Sequence, residues 1–227
     1  MSRTLRSAWF PSMSYEIASL LQASLQQQRI ADEIPDTLLQ LTHPHVYTIG
    51  RRGDRSHVLW DDATLAVRGI EVCEADRGGM VTYHGPGQLV GYPIVDLGRA
   101  GDLVGYVRDL EETIIRALTA FGVHGDRVDG MSGVWVGLEK IAAVGVRVTR
   151  GVTKHGYAVN VSPDLSLFGG IVPCGIMDRG VTSIENLTGR APLVEVVARE
   201  VEGRLAEVLG SRVEPMRTLD LVAGEPA

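Results

Sequence analysis

Residues 133–161 read GVWVGLEKIAAVGVRVTRGVTKHGYAVNV. Gly133 to Val136, Ile141 to Val148 and Tyr157 to Val161 read as strands that follow one another with only turns between them. Working upstream, Thr37 to Leu41, Val46 to Ile49, Ile70 to Cys73, Met80 to His84 and Leu89 to Leu97 are also strand-like. The turn sequence His84-Gly85-Pro86-Gly87 separates the last two. Three helices are predicted. Ser12 to Ala31 places Ile17, Leu20, Leu21 and Leu25 at helical spacing. A second helix, capped by Asp102, runs to about Phe121 with Leu103, Val107, Leu110, Ile114 and Leu118 on one face. A third starts near Pro192 and runs through Val196, Val197, Val201, Leu205 and Val208 to Gly210. Strands outnumber helices and often follow one another directly. The expected fold is therefore α/β of the α+β type, a mixed, largely antiparallel sheet flanked by helices rather than a doubly wound βαβ fold. No internal repeat or low-complexity linker divides residues 1–227, and one domain is expected.

Composition narrows the function. With 44% hydrophobic and 22% charged residues, the chain can bury a sizeable core without disulfides or a structural metal. A net charge of −6 argues against nucleic-acid or membrane-surface binding, since both partners are anionic. No apolar run of about 20 residues predicts a membrane span, and Met1 to Ser14 lacks the apolar run of a signal peptide. Cys73 and Cys174 are far apart and form no disulfide framework, so a reducing cytoplasm is the expected setting. Lys140 follows Glu139 and Lys154 follows Thr153, so neither completes a P-loop; dinucleotide and serine-hydrolase fingerprints are also missing. His43 and His45 flank Pro44, where they read either as a metal-binding pair or as solvated imidazoles on a turn. Of 22 basic residues only Lys140 and Lys154 are lysine. A position that keeps lysine among so many arginines can be using a compact amine that is able to lose its proton.

Four segments stand out. Residues 77–88, RGGMVTYHGPGQ, carry glycines and a proline at a density that suits either a plain hairpin or a backbone shaped around a ligand. Lys140 enters the strand Ile141-Ala142-Ala143-Val144-Gly145, whose small residues leave space for a helix or a hydrocarbon chain. His155-Gly156-Tyr157-Ala158-Val159-Asn160 again brings a glycine into a strand, and Pro173-Cys174-Gly175 holds a cysteine in a turn. Cys73, by contrast, reads as a small buried hydrophobe in a strand.

Together with residues 38–51, LLQLTHPHVYTIGR, and 127–135, RVDGMSGVW, these segments resemble the bacterial octanoyltransferases, the lipoyl(octanoyl) transferase B family, from about Tyr15 to Gly210. The resemblance implies the catalytic-domain fold of biotin and lipoate protein ligases, with a core over about residues 12–210. It implies transfer of octanoyl from octanoyl-acyl carrier protein to a lysine of lipoyl domains in 2-oxoacid dehydrogenases and of the glycine-cleavage H protein. It further implies Cys174 as nucleophile and Lys140 as its partner. The acyl pocket is implied at Arg77, Gly78, Gly79, Met80, Val81, Thr82, Tyr83 and His84, at Ala143, Val144 and Gly145, and at Gly156, Tyr157 and Ala158. Met80 departs from the polar residue that relatives often carry. No cofactor and no metal are implied, and a monomer is expected.

These residue types suit the chemistry. A cationic amine favours a thiolate, and lysine, unlike arginine, can later give up its proton to act as a base. Arg51, Arg52, Arg55, Arg147, Arg150 and Lys154 read either as a basic docking rim for an acidic carrier protein or as scattered solvated charges. Rival readings are an ATP-dependent ligase, a non-catalytic lipoyl- or acyl-binding module, and a cysteine hydrolase using His84 or His155 as base.

Overall fold

The computed structural model describes residues 3–98, 101–172 and 180–216. Its strands in chain order are β1 (Arg3–Phe10), β2 (Asp36–Leu41), β3 (Val46–Ile49), β4 (Glu71–Glu74), β5 (Val81–His84) and β6 (Gln88–Ile94). They continue with β7 (Asp126–Val128), β8 (Met131–Val136), β9 (Glu139–Thr149), β10 (Val152–Asn160) and β11 (Ser211–Pro215). The helices are α1 (Tyr15–Ile30), α2 (Asp62–Val67), α3 (Leu103–Thr119), α4 (Ile184–Thr188) and α5 (Val194–Leu209). The main sheet has the order β11-β1-β2-β6-β10-β9-β8-β7, and a smaller sheet has the order β4-β3-β5. Pairing in the main sheet is antiparallel from β2 through β7, while β1 runs parallel to both β2 and β11. The mixed, largely antiparallel sheet flanked by helices is as expected. The sequence reading did not anticipate β1, which makes β1–α1–β2 a parallel crossover unit on an otherwise antiparallel sheet.

One face of the main sheet packs against α3 and α5 around Leu110, Ile114, Val134, Val159 and Leu205. The other face carries α1 over Leu39, Val90, Tyr92 and Ala158, and the small sheet closes its own core around Tyr47, Val81, Tyr83 and Leu167. Among the described residues no helix is long and apolar enough to cross a membrane.

Helix α1 corrects the expected apolar face. Ile17 and Leu20 are 58% and 68% exposed, whereas Tyr15, Ala18, Gln22, Leu25 and Gln26 are buried. Hydrogen bonding decides the rotation. Gln26 Nε2 donates to the Val152 carbonyl (2.9 Å), and Gln22 Oε1 accepts the His155 N–H (2.9 Å). Burying those backbone groups without partners would cost more than exposing two aliphatic side chains. Helix α5 begins at Val194 with Leu193 as its N-cap, so Pro192 lies just before it. Cys73 is only partly buried, on the edge strand β4 rather than in a core.

Candidate active site

The second face of the main sheet and the small sheet enclose a cavity of about 910 Å³, counting the space at its mouth. Strand alternation builds its floor. Gln88, Val90 and Tyr92 on β6, Ala158 and Asn160 on β10, and Ala143 and Gly145 on β9 come to one side. Arg77 to Thr82 and His84 line the opposite wall, Tyr15 enters from α1, and Lys140, Ser132 and Val181 line it from the β8–β9 side. The Arg77–Gly78 turn comes close to β9, where Gly78 N donates to Val146 O (3.2 Å). A Cβ at Gly145 would lie 3.1 Å from the Gly78 carbonyl oxygen, so the bare backbone there is what lets the wall approach the floor.

Lys140 is half-buried at the start of β9. Its Nζ sits 4.6 Å from the centroid of the Trp135 ring, a cation–π distance. Its backbone is clamped on both sides, N–H to Gly180 O (2.9 Å) and C=O from Thr182 N (3.0 Å). Across the β8–β9 pairing, the register shifts between Val134 and Trp135. Gly133, just before that step, has φ +108°, and its N–H is taken by the fully buried Glu111 carboxylate at 2.8 Å.

Near Lys140 a line of neutral hydrogen bonds runs one way. His84 Nδ1 donates to Gln88 Oε1 (2.7 Å), Gln88 Nε2 donates to Asn160 Oδ1 (3.0 Å), and Asn160 Nδ2 donates to Thr182 O (2.9 Å). Burial holds the His84 imidazole well below its ordinary value, so it is the neutral Nδ1–H form that starts this line.

The other end is ionic. His155 adopts φ +60°, a strained region for a residue with a side chain, and its Nε2 meets Asp76 Oδ1 at 2.6 Å. Lys154 Nζ reaches Asp76 Oδ2 at 3.0 Å and Arg147 approaches at 3.4 Å. Burial works to raise the Asp76 carboxyl, but hydrogen bonds from His155 and Lys154 hold it down to about 2. Arg77 is fixed by the Thr48 carbonyl (2.6 Å) and hydroxyl (2.7 Å).

Most residues implied by the resemblance border this one cavity: Lys140, Arg77, Gly78, Gly79, Met80, Val81, Thr82, His84, Ala143, Val144, Gly145, Gly156, Tyr157 and Ala158. Tyr83 is not among them. Its hydroxyl bonds His45 Nδ1 (2.9 Å) and its ring packs on Phe168 inside the small sheet's core. Val144 and Tyr157 belong to the core on the α3–α5 face and border the cavity from there. Cys174 lies outside the described residues. Tyr15, Gln88, Tyr92, Ser132, His155 and Asn160 also line the cavity. For Gln88, Tyr92 and Asn160 the missed signal is period-2 alternation with Val90 and Ala158, whereas His155, at φ +60°, is out of phase with Ala158.

His43 and His45 are neither a metal pair nor a solvated turn. His43 is fully buried between the Met13 carbonyl and the Tyr92 hydroxyl, at 2.7 Å each, and burial lowers its pKa to about 4. Among the proposed rim residues, Lys154 and Arg147 are drawn to Asp76 and Arg55 pairs with Asp62 (2.7 Å), whereas Arg51, Arg52 and Arg150 are exposed.

A lysine clamped at one end of a mostly apolar sheet-floored cavity is the arrangement of an acyl-handling enzyme with the lipoate and biotin protein ligase fold. The bi-partite lipoate protein ligase of Thermoplasma acidophilum superposes with a TM-score of 0.73 at 16% identity, covering 98% of this chain and 91% of that one. Biotin protein ligase from Aquifex aeolicus gives 0.56 at 16% identity, over 90% and 70% of the two chains. Residues 14–206 match the family described as lipoyl protein ligase A/B catalytic domain. The octanoyltransferase of Chloroflexus aurantiacus is 48% identical over 220 residues, 94% of this chain and 99% of that protein. The chain belongs to the octanoyltransferase branch of the lipoyl protein ligase A/B family.

Proposed function

We propose that the chain carries octanoyl from octanoyl-acyl carrier protein to the ε-amine of a lysine on lipoyl domains, those of 2-oxoacid dehydrogenases and the glycine-cleavage H protein. The observation that carries this reading is Lys140 at one end of a cavity floored by Val90, Ala143 and Ala158, in a chain so similar to octanoyltransferases. In the first step the Cys174 thiolate attacks the carrier thioester, an enzyme thioester forms, and the carrier leaves as its thiol, taking a proton from Lys140. The Lys140 ammonium stabilises the attacking thiolate. In the second step the acceptor amine attacks, its proton passes to Lys140 as the neutral amine, the amide forms, and the Cys174 thiolate departs. Gly180, which follows Cys174 closely in sequence, is bonded to the Lys140 backbone, which favours a shared site. The exposed Arg51, Arg52 and Arg150 supply positive charge for an acidic carrier.

Intact mass spectrometry after mixing with octanoyl-acyl carrier protein tests the first step. One octanoyl adduct is expected on the protein without ATP, and none on Cys174→Ser. An unmodified wild-type mass, or transfer that requires ATP, would sink the reading.

A further inference from the structure

Helix α3 carries a carboxylate on a face that packs into an apolar core. Leu110, Ile114 and Leu118 join Val134 and Ile141 there, and Glu111 is fully buried beside them. A charge at that depth is costly unless it is well partnered. Arg108 supplies one bond at 2.7 Å and Arg127 approaches at 3.4 Å, both from partly exposed side chains. The remaining partner is the backbone N–H of Gly133, at 2.8 Å. That N–H lies where β8 pairs irregularly with both of its neighbours. On the β7 side Met131 stands opposite Val128 and Trp135 opposite Asp126, so Ser132, Gly133 and Val134 face Arg127 alone. On the β9 side the register shifts again, between Val134 and Trp135. Glu111 is therefore an acceptor anchored in a helix beneath a bulged stretch of strand.

The same glycine lies against the Lys140 side chain. A Cβ on Gly133 would stand 3.4 Å from Lys140 Cε and would collide with the Ala142 carbonyl oxygen. The lysine stem thus passes over bare backbone on its way to the Trp135 ring. Ser132 and Lys140 line the cavity, while Glu111 belongs to the helix on the other face of the sheet. We propose that Glu111 is a positioning residue for Lys140: by holding the Gly133 N–H it fixes the backbone that the lysine stem crosses, and so sets where the amine stands at the cavity edge. This rests on the octanoyl-transfer reading, in which that amine carries the proton. A displacement of about 1 Å in such a group is enough to cost a large part of the rate.

The chain's two lysines make the test direct. Carbon-13 labelling of lysine gives NMR signals from Lys140 and Lys154 alone, and Lys154→Arg assigns them. Ring current from Trp135 should move the Lys140 ε-methylene signal upfield. Glu111→Asp keeps the charge but draws the carboxylate back by one methylene, whereas Glu111→Gln keeps the reach and an acceptor oxygen but drops the charge. Glu111→Asp should therefore lose the upfield shift and at least about ten-fold in the kcat of octanoyl transfer, with KM for octanoyl carrier near that of wild type. Glu111→Gln should keep both the shift and most of kcat. Glu111→Leu, which fills the space and offers no acceptor, should behave like the Asp variant. A role limited to ion pairing with Arg108 and Arg127 predicts the opposite order of Asp and Gln. That order, equal effects of the two, or an unmoved Lys140 signal in the folded Asp or Leu variant overturns the assignment, as does a moved signal with kcat unchanged. The lysine signal needs no transfer to be read. Absence of octanoyl transfer by the wild type overturns the functional reading, and an unmoved signal overturns only the role of Glu111.

Discussion

At the Lys140 end of the cavity, His84, Gln88, Asn160 and Thr182 form a line of neutral hydrogen bonds; at the other end, Asp76 gathers His155, Lys154 and Arg147. Neutral amides fix direction, because each donor has one acceptor, and they respond little to salt. The ionic cluster tolerates looser geometry and depends on protonation. The two lysines divide between these regimes. The Lys154 ammonium is committed to a carboxylate, while Lys140 lies over an aromatic ring with its backbone held on both sides.

That contrast gives the largest expected effect. Lys140→Arg keeps a cation but cannot readily give up its proton, so octanoyl transfer should fall at least about 100-fold, as for loss of a general base. Lys154→Arg can keep its ion pair with Asp76 and should stay within a few-fold of wild type. Steady-state transfer assays of both variants, with folding checked by thermal melting, make the comparison. Equal losses would break the distinction between the two lysines.

Stability against pH sharpens the comparison next. Burial lowers His43 to about 4, and it lowers His155 to about 4 despite the Asp76 hydrogen bond. An unfolded histidine takes its proton near 6.5, so the unfolded chain binds protons that the folded one refuses as pH falls from about 6.5 to 4. Stability is therefore full above about pH 6.5 and is lost progressively toward pH 4, by at most about 3 kcal/mol for each imidazole. The Asp76 contribution behaves as a depressed carboxylate. It persists above about pH 4 and disappears only as pH approaches 2. Urea unfolding at pH 7.5, 6 and 5 should show a falling midpoint, and a flat midpoint would mean that these imidazoles charge freely in the folded protein.

Much of this was legible in the residues. The succession of strands in residues 133–161 gave the antiparallel half of the sheet, and the rarity of lysine pointed at two positions that both prove structurally particular. Three things were not legible, each for a physical reason. Strands β1 and β11 pair in parallel from opposite ends of the chain, so no local turn marks them. The buried side of α1 is chosen by Gln22 and Gln26 reaching backbone groups of β10, which hydrophobic periodicity cannot register. Cavity residues such as Gln88 and Asn160 look like ordinary polar strand residues until β5, β6 and β10 are brought together.

The smallest effect tests whether the neutral line works by direction or merely by filling space. Asn160 takes a hydrogen bond from Gln88 and gives one to the Thr182 carbonyl, and Thr182 N–H in turn holds the Lys140 carbonyl. Asn160→Ala removes both links and leaves Thr182 O short of a donor, at about 1–3 kcal/mol of stability. If the line positions the Gly180 and Thr182 backbone beside Lys140, transfer should also fall about ten-fold. Asn160→Asp separates the two explanations, because it keeps the size and the acceptor for Gln88 but offers no N–H to Thr182 and sets oxygen against oxygen. A directional line makes Asp at least as damaging as Ala in kcat at neutral pH, whereas a space-filling role leaves Asp close to wild type. With His84 Nδ1–H and Gln88 Oε1 fixing which way the amide beyond them faces, the substitution that changes least in shape should do at least as much harm as the truncation.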